Sequence, residues 1–323
     1  MHIGIDLGGT KIEGVRLDAG GREQQRLRVP APRGSYADTL DAIVGVVQAL
    51  EHPAGLPCTV GVGIPGALSP GTGLVKNANS TWLIGHALDR DLAARLARPV
   101  AVANDANCFV LSEATDGAGA GAAVVFGVIL GTGVGGGITV DGRVIEGPHR
   151  IAGEWGHLPL PWPTRDEYPG PPCYCGRTGC IETWVSGPGW AADFHRTTGR
   201  QMAADALAAA ARDGDPDAQA SRDRYVDRLA RSLALIITML DPDVIVLGGG
   251  VSQVQALYDE VPARWARWVF SDAVNTPLRR AGFGDASGVR GAAWLGRAGA
   301  QRPSVEGQGV PEAGPSAGRT VIL

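Results

Sequence analysis

The chain lacks the features that would place it in a membrane, on nucleic acid or outside the cell. None of its apolar runs approaches the roughly 20 residues that a membrane-spanning helix needs. Its net charge is −4 and it has no block of like charges, so nothing favours a nucleic-acid partner. An apolar strand pattern already begins at Ile3, with no basic segment or cleavage site before it, so we do not expect export.

Cysteine is scarce, and its distribution is informative. Five cysteines occur among 323 residues, and three of them lie within residues 173–180. An odd number of clustered thiols is typical of a reducing compartment, where thiolates stay available for metal. We therefore expect a cytoplasmic protein. A chain of this length with 44% hydrophobic content can form one large or two medium domains.

Glycine is abundant instead, and its 48 residues punctuate a pattern of alternating strands and helices. The first cycle has a buried strand at residues 3–7, a glycine loop at 8–11 and a returning strand at 12–18. Such a hairpin is not used at this place by strict βαβ folds. We predict helices at 40–50 and 106–114 and strands at 60–64 and 100–103.

A second cycle repeats this outline, with a strand at 123–130, a loop at 131–137 and a strand at 138–140 before an Asp141-Gly142 turn. The recurrence indicates internal duplication, although glycine-rich turns are common in such a chain. Further on we predict a helix at 222–240 and a strand at 244–247 that runs into a third glycine loop at 248–250. Residues 298–323 are rich in Gly, Pro, Ser and Gln, and we predict that they are disordered.

Each of the three glycine loops follows an apolar strand, which favours a phosphate-binding role. Without a Cβ, backbone N–H groups can turn onto phosphate oxygens, and Thr10 and Thr132 add hydroxyl donors. A simple turn is the alternative for any one loop. None of the loops matches the P-loop pattern. The G-x-G-x-x-G at 131–136 is followed by a predicted strand rather than a helix, which argues against a dinucleotide site.

Two aspartates at strand ends are candidates for the chemistry. Asp6 lies in an apolar strand, where a carboxylate is costly unless it is paired or binds a cation. Magnesium is one interpretation, and a capping or turn role is the other. Asp105 lies between Asn104 and Asn107, and Asn-Asp is also a common turn pair. Next to a phosphate site, Asp105 becomes a candidate base for a hydroxyl that attacks a γ-phosphate.

A cysteine cluster provides the donors of a tetrahedral zinc site. Cys173, Cys175 and Cys180 offer thiolates, and His157, sixteen residues before the first of them, offers an imidazole. Reduced core cysteines are the alternative, which the clustering disfavours. Four protein ligands would leave no open position, so the zinc would be structural.

These motifs together resemble the ROK family of sugar kinases and repressors across residues 1–297. The resemblance is carried by DLGGTK at 6–11, ND at 104–105, LGTG at 130–133, EWGH at 154–157 and CYCGRTGCIE at 173–182. Within the family the chain is most similar to bacterial fructokinases of the manno(fructo)kinase type. That narrower match rests on KNANSTWL at 76–83, HLPLPW at 157–162 and SGVRGAAW at 287–294.

The resemblance implies an actin-like ATPase (ribonuclease H-like) fold of two α/β domains with ATP and a hexose in the cleft between them. It implies a small domain at 1–115 completed by a C-terminal helix near 286–297, and a larger domain at 116–285. Magnesium would accompany ATP, structural zinc would bind the cysteine cluster, and the chain would form a homodimer. Asp105 would be the general base. The expected ATP-binding residues are Gly4, Asp6, Gly8, Gly9, Thr10, Lys11, Gly131, Thr132, Gly133, Gly135, Gly136, Gly248, Gly249 and Gly250. The expected sugar-binding residues are Gly66, Asn79, Asn104, Asp105, Glu154, His157 and Glu182.

The implied activity is ATP-dependent phosphorylation of a hexose, with D-fructose to D-fructose 6-phosphate as the first interpretation and mannose as a further substrate. Kinases of N-acetylglucosamine, N-acetylmannosamine or glucose are alternatives that keep the same chemistry. A sugar-responsive repressor belongs to another class, and the strand at Ile3 leaves no room for a helix-turn-helix ahead of it. We expect the proline-rich interval at 158–172 to form a stiff segment near the sugar site that bears on specificity.

Overall fold

The structure is a computed structural model that describes residues 1–52, 55 and 57–300. Its strands in the described part are β1 (His2–Leu7), β2 (Lys11–Leu17), β3 (Glu23–Pro30), β4 (Thr59–Ile64), β5 (Ala67–Leu68), β6 (Val75–Lys76), β7 (Val100–Asn104), β8 (Val124–Leu130), β9 (Val134–Val140), β10 (Arg143–Val144), β11 (Val244–Gly248) and β12 (Leu278–Arg280). Its α-helices there are α1 (Tyr36–Glu51), α2 (Leu88–Leu96), α3 (Asp105–Thr115), α4 (Glu182–Val185), α5 (Gly187–Thr198), α6 (Ala204–Arg212), α7 (Pro216–Leu240), α8 (Ala256–Glu260) and α9 (Ser287–Ala300).

The first sheet brings three strand ends to one edge. Its order is β3-β2-β1-β4-β7, with β1 and β2 antiparallel and β1, β4 and β7 parallel to one another. The predicted hairpin is therefore confirmed. Because parallel strands end at the same edge of a sheet, the loop after β1, Gly66 after β4 and Asp105 after β7 all emerge there.

The second sheet repeats the first. Its order is β10-β9-β8-β11-β12, again with an antiparallel hairpin followed by two parallel pairings. The repeated outline predicted from the sequence is confirmed at the level of topology. The predicted loop at 131–137 is shorter than expected, because β9 begins at Val134 and Gly135 and Gly136 pair with Ile129 and Val128 of β8.

Two helices from distant parts of the chain connect the sheets. Helix α9 packs on β1 and β4, α3 packs on β8 and β9, and the two helices pack on each other. Glycine makes the approach possible, because a Cβ on Gly4 would overlap the carbonyl oxygen of Val289 and one on Gly291 would overlap that of Cys108. Tight contact between α3 and α9 fixes the position of the N-terminus of α3.

Capping residues explain where the helices depart from the predicted bounds. Helix α1 begins at Tyr36 because the Ser35 hydroxyl accepts the N–H of Asp38, and α7 begins at Pro216 because Asp215 caps it. Helix α9 continues to Ala300, three residues into the segment predicted to be disordered, and residues 301–323 lie outside the described part. Among the helices of the described residues, none combines the length and the apolar character needed to cross a membrane.

Candidate active site

The carboxyl edge of the first sheet carries the candidate base. Asn104 ends β7 and caps α3, with its side-chain oxygen 2.9 Å from the Ala106 nitrogen that donates to it. Asp105 is the first residue of α3, and its carboxylate accepts from the same N–H at 2.8 Å. The Asn104 amide donates to the carbonyl oxygen of Gly66 at 3.3 Å. A strand, a cap and a helix terminus therefore fix Asp105 beside Gly66.

Burial makes the two strand-end aspartates more basic than ordinary carboxylates. It is the main cause that raises the pKa of Asp105 to about 6, and the charge of Glu154 adds to it. The pKa of Asp6 also rises to about 6, first through burial and then through the charges of Asp105 and Glu13. The charge of Asp105 therefore contributes to the raised pKa of Asp6.

This shift predicts a pH dependence. If Asp105 acts as a base, kcat/KM should fall about tenfold per pH unit below about pH 6, because protonation removes the acceptor. An unperturbed aspartate would place the same fall near pH 4. The measurement is kcat/KM for the sugar between pH 5 and 8.

Glu154→Gln provides the control for this pH profile. Removing its charge should lower the pKa of Asp105 and move the acid limb to lower pH. A flat wild-type profile down to pH 5, or a limb that Glu154→Gln does not move, would contradict the assignment.

The first two glycine loops have hydrogen-bonded turn geometry. The N–H of Gly8 donates to the carbonyl oxygen of Lys11 at 3.0 Å, which closes the first loop around Gly9 and Thr10. The N–H of Gly131 donates to the carbonyl oxygen of Gly133 at 3.0 Å around Thr132. Both turns follow a hairpin strand of their sheet, so the repeated topology gives the two loops equivalent positions.

The third loop lies against the end of β8. Gly249 has a positive φ of 81°, and a Cβ there would lie 2.5 Å from the carbonyl oxygen of Leu130. Gly248 packs against the ring of Phe109, and Gly250 begins a 3₁₀ turn. The third loop is therefore adjacent to the start of the second.

Three of the glycines expected to bind ATP lie inside strands, and a fourth, Gly248, is the last residue of β11. Gly4 is buried in β1 beneath α9, as described above. A Cβ on Gly135 would lie 3.3 Å from that of Ala106, and one on Gly136 would lie 2.6 Å from the Trp155 ring. Close packing against the sheets explains why glycine occurs at positions 4, 135 and 136. None of these three residues lies in a loop.

The residues expected to bind sugar come from both halves of the chain. The N–H of Asn79 donates to the carbonyl oxygen of Pro65 at 3.2 Å, which brings Asn79 to the segment of Gly66. From the other side, Glu182 accepts the N–H of Val134 at 2.8 Å and lies against the second glycine loop. Glu154 precedes the 3₁₀ turn Trp155–His157, and its charge acts on Asp105.

The cysteine cluster fits a tetrahedral zinc ion. The donor atoms of His157, Cys173, Cys175 and Cys180 all lie within 4.8 Å of one another. Cys173 Sγ lies 3.6 Å from His157 Nδ1, and Cys175 Sγ lies 3.6 Å from Cys180 Sγ. Zinc–sulfur bonds of about 2.3 Å place two tetrahedral ligands about 3.8 Å apart, so these separations suit the ion.

The proline-rich segment anchors this cluster to the second sheet's helices. Leu160 and Ile181 make backbone hydrogen bonds to Gly179 and Leu158, which pair the segment with the cysteine loop. The buried carboxylate of Glu167 accepts from Arg228 at 2.8 Å and from Arg231 at 2.8 Å, both on α7. These charge-assisted contacts hold the pKa of Glu167 at about 2 despite its burial.

Sequence reasoning missed two residues here. Glu167 closes a capping box with Thr164, and the T-x-x-E spacing predicts this local contact. Its buried arginine partners on α7 are distant in the sequence and could not be predicted. Tyr174 gives no sequence signal of its own, because it lies between two cysteines whose spacing already indicates a metal site. Its hydroxyl lies 2.9 Å from His157 Nε2, and partial desolvation of this otherwise exposed side chain, followed by the charges of Glu182 and Glu154, raises its pKa to about 12.

Two sheets of the same topology, joined by packed helices and followed by glycine loops, define the actin-like ATPase fold in a mixed α/β protein. The solved ROK hexokinase of Thermus thermophilus superposes with a TM-score of 0.81 at 31% identity, covering 91% of this chain and 97% of that one. The ROK glucokinase of Streptomyces griseus, solved with glucose and AMPPNP, has a TM-score of 0.75 at 29% identity, covering 92% and 99%.

A model of the ROK family matches residues 2–298, and the chain belongs to this family. An N-acetyl-D-glucosamine kinase of Pectobacterium atrosepticum is 40% identical over 299 residues, which cover 91% of this chain and 98% of the relative. These relatives are sugar kinases, and the protein is an ATP-dependent sugar kinase. The predicted family and fold are confirmed. The predicted fructokinase type is not, because the relative at 40% identity is named an N-acetyl-D-glucosamine kinase.

Proposed function

We propose that this kinase transfers the γ-phosphoryl group of ATP to the primary hydroxyl of a hexose or N-acetylhexosamine, with Asp105 as general base. The observation that carries the proposal is the position of Asp105. It lies half-buried at the N-terminus of α3, at the edge where the first loop emerges, with a pKa raised to about 6. Such a carboxylate is charged at neutral pH and basic enough to take the hydroxyl proton as the new O–P bond forms.

The phosphates of ATP would lie between the first and second glycine loops. Backbone N–H groups and the hydroxyls of Thr10 and Thr132 are the donors offered there, and the third loop would meet the adenosine end. Asp6 would hold magnesium. A cation there suits the residues present, because burial and two neighbouring acids disfavour an uncompensated carboxylate. When bound, magnesium offsets charge on the phosphoryl oxygens.

The sugar would lie between the amides of Asn79 and Asn104 and the carboxylates of Glu154 and Glu182. Carboxylates that accept from adjacent hydroxyls make strong charge-assisted hydrogen bonds, which suits a polyhydroxylated substrate. The proposed contacts are Gly66, Asn79, Asn104, Asp105, Glu154, His157 and Glu182. Zinc bound by His157, Cys173, Cys175 and Cys180 would hold the segments of Glu154 and Glu182 in place.

N-acetyl-D-glucosamine is the first candidate substrate. Relatives that carry this name are about as long as the chain and 40% identical to it, which supports the choice. D-fructose is the second candidate, and it is supported by the similarity of residues 76–83, 157–162 and 287–294 to the manno(fructo)kinase type. The two candidates share the base and the phosphate loops and differ only in the sugar pocket.

A coupled ADP-release assay over a sugar panel tests this proposal. N-acetyl-D-glucosamine, N-acetylmannosamine, glucose, mannose and fructose are compared at fixed ATP. We expect the highest kcat/KM for N-acetyl-D-glucosamine. A value for fructose at least tenfold higher would replace the first candidate with the second, and turnover of none of these sugars would contradict the proposed function.

A further inference from the structure

The phenol of Tyr174 lies beside the nitrogen of His157 that faces away from the cysteines. Its hydroxyl is 2.9 Å from Nε2, and the two rings meet edge to face with centroids 5.1 Å apart. The other ring nitrogen, Nδ1, lies 3.6 Å from Cys173 Sγ. The imidazole therefore has a cysteine side and a tyrosine side.

Core packing does not account for this tyrosine. Its side chain is 79% exposed, although it lies between two cysteines whose geometry is constrained. The carbonyl oxygen of Glu154 accepts the N–H of His157 at 3.3 Å, so Glu154 and His157 belong to one turn. The hydroxyl thus contacts His157, one of the three residues of the second half of the chain that are proposed to bind sugar.

We propose that Tyr174 is a sugar-contacting residue that helps determine which sugar this kinase accepts. The inference rests on the proposed function, because it places the sugar on Glu154, His157 and Glu182. A neutral imidazole with Nδ1 on the cysteine side has one hydrogen-bonding position left, at Nε2, and the Tyr174 oxygen occupies it at 2.9 Å. A sugar oxygen that approaches this side of His157 therefore meets the phenol.

The hydrogen-bond roles leave a donor for the sugar. A zinc ion held by Nδ1 would leave the proton on Nε2, so the imidazole would donate to the tyrosine oxygen. The Tyr174 O–H then remains free to donate to a sugar oxygen or to an acetyl carbonyl. The exposed ring adjoins this position and limits the size of the substituent that fits beside it.

Tyr174→Phe tests the contact, because it removes the hydroxyl and keeps the ring. We expect the sugar KM, and the sugar Kd from calorimetry without nucleotide, to rise about tenfold. The KM for ATP and the zinc content from native mass spectrometry should stay unchanged. The differences in kcat/KM between the sugars of the panel should become smaller. A sugar without the group that Tyr174 contacts should keep its wild-type kcat/KM.

Tyr36→Phe is the matched control, since it also removes one tyrosine hydroxyl, which donates to Asp91 of α2 outside the proposed sugar site. It should leave the sugar KM unchanged. An unchanged sugar KM in Tyr174→Phe, while the wild type phosphorylates a sugar, would overturn this inference and leave the proposed function intact. Loss of zinc together with sugar affinity would assign Tyr174 to support of His157 and would also overturn it. A wild type that neither binds nor phosphorylates any sugar of the panel would remove both proposals.

Discussion

Asp105→Asn is expected to lower kcat by about 100- to 10,000-fold, the range that a positioned general base contributes. The amide has the shape of the carboxylate and still offers an oxygen to the N–H of Ala106. The N-terminus of α3 should therefore keep its structure, and the KM values for sugar and ATP should change by only a few fold. Steady-state kinetics with the best sugar of the panel measures the effect.

Asp38→Asn provides the comparison for this substitution. Asp38 is an exposed acid in the first turn of α1, so its replacement makes the same chemical change at another helix N-terminus. It should retain wild-type kcat. Near-normal turnover in Asp105→Asn would remove Asp105 as the base and would leave positioning between the glycine loops as the source of catalysis.

The sequence was sufficient to predict the elements that carry the candidate site. Apolar strands that stop at glycine, as at Leu7 and Leu130, give clear signals, and the repeat of the hairpin predicted the second sheet. The donor set of the cysteine cluster could also be predicted, because its residues are close along the chain. Each of these signals is local.

The missed features depend on contacts between distant segments. Gly4 belongs to a recognisable motif, yet its lack of a side chain is explained by α9, which arrives from the other end of the chain. Gly135 and Gly136 belong to the same glycine-rich stretch of sequence as the second loop, but they lie in β9. Ala106 packs against Gly135 on one face of the strand, and Trp155 packs against Gly136 on the other. No pattern in a single segment distinguishes a glycine that approaches a ligand from one that approaches a helix.

Loss of the zinc site is the second large effect that we expect. Cys175→Ser should abolish stoichiometric zinc and raise the sugar KM about 10- to 100-fold, because zinc-bound His157 and Cys180 would fix the segments of Glu154 and Glu182. Nucleotide binding should change less than sugar binding, because none of the three glycine loops contains a residue of the zinc cluster. Native mass spectrometry gives the zinc content, and calorimetry gives the affinities for sugar and nucleotide.

The same variant should remain folded, and this separates positioning of the sugar pocket from general unfolding. The cysteine loop stays paired with residues 158–160, and Glu167 ties that segment to Arg228 and Arg231 of α7 without any metal. Cys58→Ala, a buried cysteine outside the cluster, should keep its zinc and its sugar KM. If wild-type protein contained no zinc, or if Cys175→Ser bound sugar as tightly as the wild type, the cluster would have no part in shaping the pocket. Weak sugar binding in a folded, zinc-free variant would show that zinc supports the sugar pocket. We expect this support to come from the positions that zinc gives to the carboxylates of Glu154 and Glu182.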